Sequence, residues 1–312
     1  MSGPLAEVRT AVKRYLAEHR PDDVAVAVSG GADSLALAAA AARLVPGARA
    51  VVVDHGLQEG SAEVAERAAR TCRELGLAAE VRRVVVSGPG GPEAAARRAR
   101  YAALRPDRGV VLLGHTRDDQ AETVLLGLGR GSGPRSIAGM RPHDPPWGRP
   151  LLAVSRATTG AACAELGLRP WADPHNADPA FTRVRLRTEV LPLLEDVLQQ
   201  GVADALARTA AQLREDADAL DELAARFTGD PTSAADLAEL PAALRRRVLR
   251  LHLLAAGVPE LSDSHLRRVD ALVGEWHGQG GVWLPGGFVA RRARGRLAVE
   301  RPDEPPVEPV QS

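Results

Sequence analysis

Six residues near the N-terminus, SGGADS at 29–34, have the composition of a loop that binds phosphate. Gly30 and Gly31 let the backbone turn sharply and approach a ligand closely, and a following helix offers free N–H groups to an anion. A carboxylate at Asp33 would repel phosphate unless a cation lies between them, so the pattern predicts Mg²⁺ held by Asp33. The alternative is an ordinary glycine turn in which Asp33 or Ser34 caps the helix. The loop is neither a Walker P-loop nor G-x-G-x-x-G.

A second polar segment, DHGL at 54–57, follows the next apolar run of the chain. Asp54, His55 and Gly56 stand where a loop can lie against a nucleoside bound at the edge of a sheet. The alternative is that the histidine is incidental to a loop at the end of a strand.

A third segment, GHTRDDQAET at 114–123, begins with Gly114 and His115 and is rich in carboxylates. Asp119 and Glu122 are three residues apart, so they share a helix face and could jointly hold Mg²⁺ or an ammonium group. The alternative is a capping box with a solvated acidic face. RGSG follows at 130–133, where Arg130 could bind phosphate through its fork of donors.

These segments interrupt a regular alternation of short apolar runs and helical patterns. Strands are predicted at Val24–Val28, Arg49–Val53, Glu80–Val86 and Gly109–Leu113, and helices at Ser34–Leu44, Ala62–Leu75, Pro92–Leu104 and Asp118–Leu128. Strands that are nearly continuous in Val and Leu indicate a doubly wound parallel α/β sheet covered on both faces. All three polar segments then lie at carboxyl ends of strands, where such sheets bind ligands.

The remainder of the chain is predicted to be less regular. A Gly- and Pro-rich loop is expected at 129–150, a helix at 155–166, and a helical pattern from Thr182 to about Arg226 that is broken at Pro192. The expected organisation is a catalytic domain over 1–195, a helical linker over 196–228, a small C-terminal domain over 229–300 and a disordered proline-rich tail over 301–312.

Composition sets broad limits. The 312 residues carry 40 basic and 40 acidic side chains, so the net charge is zero and does not by itself indicate nucleic acid. Aromatic residues are only 3%, which predicts a core of Ala, Val and Leu. Cys72 and Cys163 stand among apolar residues and are expected to be buried and unpaired. With neither a signal peptide nor a membrane span in the sequence, we expect a cytoplasmic protein.

The motifs together carry a resemblance. The order of SGGADS, DHGL, AARRARYAAL, GHTRDDQAET, RGSG, RPLL and DPHNADPAFTRVRLRTEVLP is similar to that in the tRNA(Ile)-lysidine synthetases of the PP-loop ATP-pyrophosphatase superfamily, over about Val24 to Leu194. The chain departs from the family pattern at three positions. Thr116 replaces a second histidine, His175 a serine and Val184 an asparagine.

The resemblance implies a ligase reaction. ATP would adenylate the C2 oxygen of the wobble cytidine of isoleucine tRNA with a CAU anticodon, and the amine of free L-lysine would then attack C2 and displace AMP to give lysidine. Ser29, Gly30, Gly31 and Ser34 would bind the pyrophosphate, and Asp33 would hold Mg²⁺. The further ATP-binding candidates are Ala32, Asp54, His55, Gly56, Gly114 and Arg130. Arg97 would stabilise phosphate or the adenylated intermediate, and its alternative is a solvated helix arginine. Asp119 and Glu122 would hold the lysine ammonium, with His115 binding phosphate or removing a proton.

Arginine-rich segments further along the chain suggest contact with tRNA phosphates. The candidates are Arg183, Arg185, Arg187, Arg245, Arg246, Arg291 and Arg292. Asp173 and Asn176 are candidates to brace the loop before the first three. The alternative for all these arginines is a solvated face. The oligomeric state stays open, with a homodimer as a candidate.

Other functions within and outside the superfamily fit the sequence less well. A sulfur-transferring enzyme would need a Cys-x-x-Cys pair or an exposed cysteine, and an amidotransferase a glutaminase segment; neither is in the sequence. A protein that only binds ATP or tRNA would not need Asp33, His115, Asp119 and Glu122 together.

Overall fold

The computed structural model describes residues 3–56, 60–87, 91–131, 133–173 and 177–302. The chain forms two compact units. The first comprises Met1–Leu126 and Gly139–Thr209, and the second comprises Gly127–Ala138 and Ala210–Ser312. Within the described ranges, no helix has both the length and the apolar composition needed to cross a bilayer.

The first unit is built on a six-stranded sheet. Its strands are β1 (Val24–Val28), β2 (Arg49–Asp54), β3 (Ala78–Arg83), β4 (Val110–Leu112), β5 (His143–Asp144) and β6 (Trp147–Gly148). The spatial order is β3-β2-β1-β4-β6-β5, and every neighbouring pair is parallel except β5 and β6. The predicted doubly wound, mostly parallel α/β fold is confirmed.

Helices follow each of the first four strands, as the sequence predicts. They are α2 (Ala32–Leu44), α3 (Ser61–Glu74), α4 (Gly91–Leu104) and α5 (Arg117–Gly129), preceded by α1 (Pro4–His19) and followed by α6 (Pro134–Ile137), α7 (Arg156–Glu165), α8 (Thr182–Arg185), α9 (Leu191–Val197) and α10 (Val202–Ala225). Because side chains alternate along a strand, Val26 packs in the cluster with α1, α2, α3 and α7, whereas Ala25 packs with Leu104 of α4 on the opposite face.

Four local features differ from the sequence predictions. The third strand covers Ala78–Arg83 and not the predicted range 80–86. The N-terminal helix α1 was not predicted, and the expected loop over 129–150 contains α6 and the strand pair β5–β6 that extends the sheet. The predicted break at Pro192 is wrong. The chain runs through a π-helical turn, Leu186–Val190, into α9, because Pro192 lies in the first turn of that helix, where its missing N–H is tolerated. The helix stops instead after Val197, ahead of Gly201 with φ +95°.

The second unit has its own apolar core. It contains α11 (Ala234–Ala238), α12 (Ala242–Ala255), α13 (Asp263–Gly274), β7 (Val282–Leu284), a 3₁₀ turn (Pro285–Gly287), β8 (Phe288–Ala293) and β9 (Arg296–Glu300). The three strands form an antiparallel sheet in the order β7-β8-β9. Leu237, Leu249, Leu253 and Leu272 are almost completely buried between the helices and the sheet.

The two cysteines are buried and unpaired, as expected. Burial raises the pKa of each thiol to about 11. Both thiols are therefore kept in their unreactive protonated form at neutral pH.

Candidate active site

The loop after β1 has the conformation that its glycines predict. Gly30 has φ +86°, and its carbonyl accepts a hydrogen bond from the Trp171 N–H at 2.9 Å. Gly31 is the N-cap of α2 and provides no side-chain cap to the first turn. A helix that begins on glycine offers its N–H groups and dipole to an anion.

Two serines hold this loop in shape. The Ser34 hydroxyl accepts from the Ser29 N–H at 3.2 Å and donates to the Gly31 carbonyl at 2.9 Å. A Cβ on Gly114 would lie 3.0 Å from the carbonyl carbon of Asp33 and from the nitrogen of Ser34. The first and third polar segments therefore meet backbone to backbone, and a side chain at position 114 would crowd this contact.

The second polar segment ends β2 at the same edge of the sheet. The buried Asp54 carboxylate accepts from the Gly56 N–H at 3.0 Å and lies 3.3 Å from Arg83 Nε. The ring of His55 has a buried Nδ1 without a hydrogen-bond partner, and burial together with the charge of Arg100 lowers its pKa. Leu57 of this segment lies outside the described residues.

Three carboxylates converge beside the loop. Asp33 comes from the first turn of α2, and Asp119 and Glu122 come from α5. One guanidinium, that of Arg156 at the start of α7, contacts all three. Its nitrogens lie 2.6 Å from Asp119 Oδ1, 3.5 Å from Glu122 Oε1 and 3.6 Å from Asp33 Oδ2. The alternative for the third segment holds in part. Asp119 accepts from the N–H of Thr116, the residue before α5, which is one half of a capping box, but the acidic face is not solvated because Glu122 is buried and both carboxylates contact Arg156.

Asp33 and Asp119 differ in protonation behaviour. Burial raises the pKa of Asp33, although the Thr159 hydroxyl bonds to its Oδ1 and Arg156 lies nearby. Burial also acts to raise the pKa of Asp119, but Arg156 and Thr116 outweigh it, so this pKa is lowered. The Thr116 N–H and hydroxyl lie 2.8 and 2.9 Å from Asp119 Oδ2. Thr116 thus fixes a carboxylate of the site.

Glu122 has no exposed surface. Its Oε1 accepts from Arg187 Nε at 2.9 Å, and its Oε2 lies 3.6 Å from Arg183 Nη1 without a hydrogen bond. A buried acceptor without a donor costs free energy, so Oε2 is a place where a ligand with N–H groups could bind. Val184, between the two arginines in sequence, is buried.

His115 lies next to this cluster with a buried Nδ1 that has no hydrogen-bond partner. Burial lowers its pKa to about 3, against the raising effect of Asp119. The imidazole is therefore neutral at physiological pH, so it can exchange a hydrogen bond with a ligand but carries no charge.

Other predicted residues of the first unit have partners away from the carboxylates. The exposed Arg97 lies 3.3 Å from the Tyr101 hydroxyl and 4.9 Å from the centre of its ring. Arg185 pairs with Glu189 on the surface at 2.9 Å. Arg183 and Arg187 instead join the carboxylate cluster through Glu122. Asn176 lies outside the described residues.

In the second unit the predicted arginines fall into two groups. Arg245 binds Asp270 through both ends of its fork, at 2.5 and 3.3 Å, and Arg246 lies 3.3 Å from the same carboxylate. Arg292 donates to the Leu272 carbonyl at 2.9 Å. Arg291 and Arg130 are exposed, the latter in the turn that follows α5.

Sequence reasoning missed Arg156 and Thr159. The signal was present, since an arginine at the first position of a helix opposes the helix dipole unless carboxylates face it. Ser155 caps α7 through the Thr158 N–H, which fixes Arg156 in the first turn. Thr159 lies one helical turn inside and reaches Asp33.

The residues present fit a magnesium ion bound together with a phosphate ligand. In the part of the chain that the structure describes, no three His, Cys, Asp or Glu side chains are arranged so that they alone could hold a metal ion. Mg²⁺ commonly takes only one or two protein carboxylates and completes its shell with phosphate and water. Asp33, whose pKa burial raises, is a carboxylate that a cation beside the loop would stabilise.

Comparison with known proteins agrees with this geometry. Residues 4–194 match the PP-loop domain family, and residues 233–298 match the TilS substrate binding domain family. The protein named tRNA(Ile)-lysidine synthase from Rhodococcus opacus is 60% identical over 309 residues, 95% of each chain. The protein of the same name from Nocardia farcinica is 59% identical and covers 94% of this chain and 98% of its own. The one from Mycobacterium tuberculosis is 58% identical and covers 89% of this chain and 90% of its own.

A solved structure shares the fold at lower identity. The U34-tRNA thiolase NcsA from Methanococcus maripaludis superposes with a TM-score of 0.56 at 18% identity, covering 68% of this chain and 80% of its own. The family matches, the extent of the relatives and the site geometry lead to one conclusion: the chain belongs to the tRNA(Ile)-lysidine synthase family.

Proposed function

We propose that the protein uses ATP to join free L-lysine to C2 of the wobble cytidine in the isoleucine tRNA with a CAU anticodon. The products are lysidine, AMP and pyrophosphate. The observation that carries the proposal is the meeting of the glycine loop with the carboxylates Asp33, Asp119 and Glu122 at one sheet edge. A nucleotide and an amine could react there side by side.

ATP would lie along this edge. Ser29, Gly30, Gly31, Ala32 and Ser34 would surround the pyrophosphate, and Asp54, His55, Gly56 and Gly114 would line the nucleoside side. Support comes from the uncapped start of α2 and from the unpartnered ring nitrogen of His55. Arg130 and Arg97 remain candidates for further phosphate contacts.

Asp33 would hold Mg²⁺ together with the phosphates. The ion supplies charge neutralisation for the phosphate oxygens when it is bound. Thr159 keeps the Asp33 carboxylate oriented through its hydrogen bond, whether or not a metal is present.

The chemistry has two steps. The cytidine O2 attacks the α-phosphorus of ATP, a P–O bond forms, and the bond to pyrophosphate breaks. The lysine amine then attacks C2, a C–N bond forms, the C2–O bond breaks with AMP leaving, and the amine loses protons. Each step needs its reactants aligned and water excluded, which a largely buried carboxylate cluster favours.

The lysine amine would bind at Asp119 and Glu122. Glu122 Oε2 is the buried acceptor without a donor, so an ammonium group would satisfy it. The pKa of His115, lowered to about 3, makes it a weak base, which favours hydrogen bonding to phosphate over proton removal.

The tRNA would be bound through arginines of both units. Arg185 and Arg291 are exposed and able to meet phosphates without giving up a buried partner. To contact RNA, Arg183 and Arg187 would have to share or leave Glu122. The partners that would have to be released in the second unit are those of Arg245, Arg246 and Arg292.

The test is pyrophosphate release from labelled ATP by the purified protein with lysine and tRNA transcripts. We expect release with the CAU isoleucine transcript, none when its wobble cytidine is replaced by uridine, and incorporation of labelled lysine only with the first. Release that is independent of tRNA would contradict the proposal. Full activity in Asp33→Ala would contradict the metal assignment alone.

Sulfur transfer is the rival chemistry that the structural neighbour suggests. Cys72 and Cys163 are the two cysteines of the chain, and burial raises the pKa of both thiols to about 11. Neither has the thiolate character or access that a sulfur carrier needs. Replacing both with alanine should leave lysine incorporation intact, whereas a thiolase would become inactive.

A further inference from the structure

Arg156 occupies the centre of the carboxylate cluster. Its three guanidinium nitrogens each face a different carboxylate, those of Asp33, Asp119 and Glu122. Only the contact to Asp119, at 2.6 Å, has the length of a strong charged hydrogen bond; the other two are 3.5 and 3.6 Å. The Arg156 guanidinium thus contacts both Asp33, which we propose binds Mg²⁺ beside the nucleotide, and the pair Asp119 and Glu122, which we propose binds the amine.

The space between Asp119 and Glu122 is occupied without any ligand. The Arg156 guanidinium lies there, 2.6 Å from Asp119 Oδ1 and 3.5 Å from Glu122 Oε1. Arg183 and Arg187 add two further cations beside Glu122. Because like charges repel strongly in a partly buried site, an ammonium group can bind between these two carboxylates only when the Arg156 guanidinium leaves that space.

Arg156 is the cation whose departure would empty this space. Its backbone N–H is held by Asp118 Oδ2 at 2.8 Å, so a change of side-chain rotamer need not move the start of α7. The side chain is 26% exposed, which gives it a route to solvent. Arg183 and Arg187 are more exposed, at 39% and 28%, but Arg183 pairs with Glu122 and Arg187 lies 4.0 Å from Asp119, so neither lies as close to Asp119 as Arg156 does. The position of Arg156 in the first helical turn also sets its charge against the helix dipole.

We propose that Arg156 is a placeholder for the amine of the substrate, and this rests on the proposed function. In the free protein its guanidinium holds the Asp119 and Glu122 carboxylates in position. The incoming ammonium group takes its place between Asp119 Oδ1 and Glu122, including the Oε2 atom that has no donor. Arg156 is a positioning residue in this scheme, and its release opens the amine subsite.

The experiment compares Arg156→Ala with the wild type at saturating ATP and tRNA. Because the amine no longer competes with a guanidinium, the KM for lysine should fall about fivefold, the factor that corresponds to a part-exposed ion pair of about 1 kcal/mol. The KM for ATP should stay within about twofold of the wild type. Methylguanidinium, added as a probe, should compete with lysine in the variant and have no effect on the wild type.

Arg117→Ala is the matched control. Arg117 is also 26% exposed and binds a carboxylate at 2.5 Å, but its partner is Asp204, away from the cluster. This variant should keep the wild-type KM for lysine and show no methylguanidinium inhibition. A change equal to that of Arg156→Ala would mean that the effect is general destabilisation and would overturn the proposal.

An unchanged or raised KM for lysine in Arg156→Ala overturns the proposal. If that variant does not fold, Arg156→Lys is measured instead. The ammonium group of the new lysine side chain contacts fewer of the carboxylates than a guanidinium does, so the KM for the substrate lysine should be below that of the wild type. A value at or above the wild type overturns the proposal there too. Absence of tRNA-dependent pyrophosphate release in the wild type would refute the proposed function instead.

Discussion

The Thr159 hydroxyl donates a hydrogen bond to Asp33 Oδ1, although 126 residues separate the two in sequence. The contact joins α7, one turn after its start, to the first turn of α2. It also opposes the effect of burial, which raises the pKa of Asp33. Thr159 therefore helps to keep ionised the carboxylate that we propose binds Mg²⁺.

Replacing Thr159 by valine should make activity more sensitive to acid. Without the hydroxyl, which lowers the pKa of Asp33, that pKa rises further, so the carboxylate becomes protonated at a higher pH as pH falls. The acid limb of pyrophosphate release plotted against pH should move upward in Thr159→Val. Thr159→Ser keeps the donor and should retain the wild-type profile. Coincident profiles in all three proteins would contradict the role of this hydrogen bond.

Glu122 should contribute to folding as well as to the proposed chemistry. Its carboxylate is fully buried against Arg187, Arg183 and Arg156, and removing one member of a buried ion cluster leaves the others uncompensated. Glu122→Gln should lower the free energy of unfolding by about 3 kcal/mol, measured by urea denaturation. Glu189→Gln, which breaks the surface pair with Arg185, should leave the urea midpoint unchanged. Equal midpoints for the two variants would refute this assignment.

The sheet was predictable because its strands are short continuous runs of Val, Ala and Leu between helices of clear periodicity. β1 was predicted with its observed bounds, and β2 and β4 differ by one residue at their ends. β5 and β6 were not predicted, since two residues each carry no periodicity. Their place in the sheet depends on pairing with β4, which is a tertiary contact.

The carboxylates of the site were predictable from their types and spacing, but their partners were not. Arg156 and Arg187 reach Glu122 from 34 and 65 residues away, so no local pattern links them. Arg183 and Arg187 were assigned to RNA because arginines near a helix start resemble a phosphate-binding face. The charge that they meet in this structure is instead a glutamate of the same unit.

Gly114→Ala should weaken ATP use by crowding the phosphate loop. The added Cβ would lie 3.0 Å from backbone atoms of Asp33 and Ser34, which cannot yield without moving the loop. We expect the KM for ATP to rise about tenfold or more, an effect of at least ~1.4 kcal/mol. Gly160→Ala is the control, because nothing lies within 4 Å of its added Cβ, and in α7 it should stabilise the fold. An unchanged KM for ATP in Gly114→Ala would place the nucleotide elsewhere.

His115 should make the protein less stable in mild acid. Burial lowers its pKa from the usual value of 6.5 to about 3, so between these values the unfolded chain binds a proton that the folded protein does not. Stability therefore falls as pH decreases through this window, by up to ~1.4 kcal/mol per pH unit from this group. His115→Gln removes the proton uptake and should flatten the dependence of unfolding free energy on pH below about 6.5. Parallel curves for the two proteins would contradict the buried, neutral state of His115.

Arg245 and Arg291 should separate fold stability from RNA binding in the second unit. Arg245 and Asp270 are both largely buried and form a two-point ion pair, so Arg245→Met leaves this buried carboxylate with only the more distant Arg246, at 3.3 Å, as its ion-pair partner. We expect an early unfolding transition of this unit in urea. Arg291 is exposed on β8, and Arg291→Met should leave that transition unchanged.

For tRNA affinity we expect the opposite result: Arg291→Met should have an effect on the salt dependence and Arg245→Met should not. Arg291→Met removes a cation that would bind a phosphate, so it should lower affinity and reduce the slope of log affinity against log salt by about one. Arg245→Met, measured where the unit is still folded, should keep the wild-type salt slope because its guanidinium is bound to Asp270. A reduced slope in Arg245→Met with an unchanged unfolding transition would show that this arginine leaves Asp270 for RNA. The ion pair would then belong to the free protein alone.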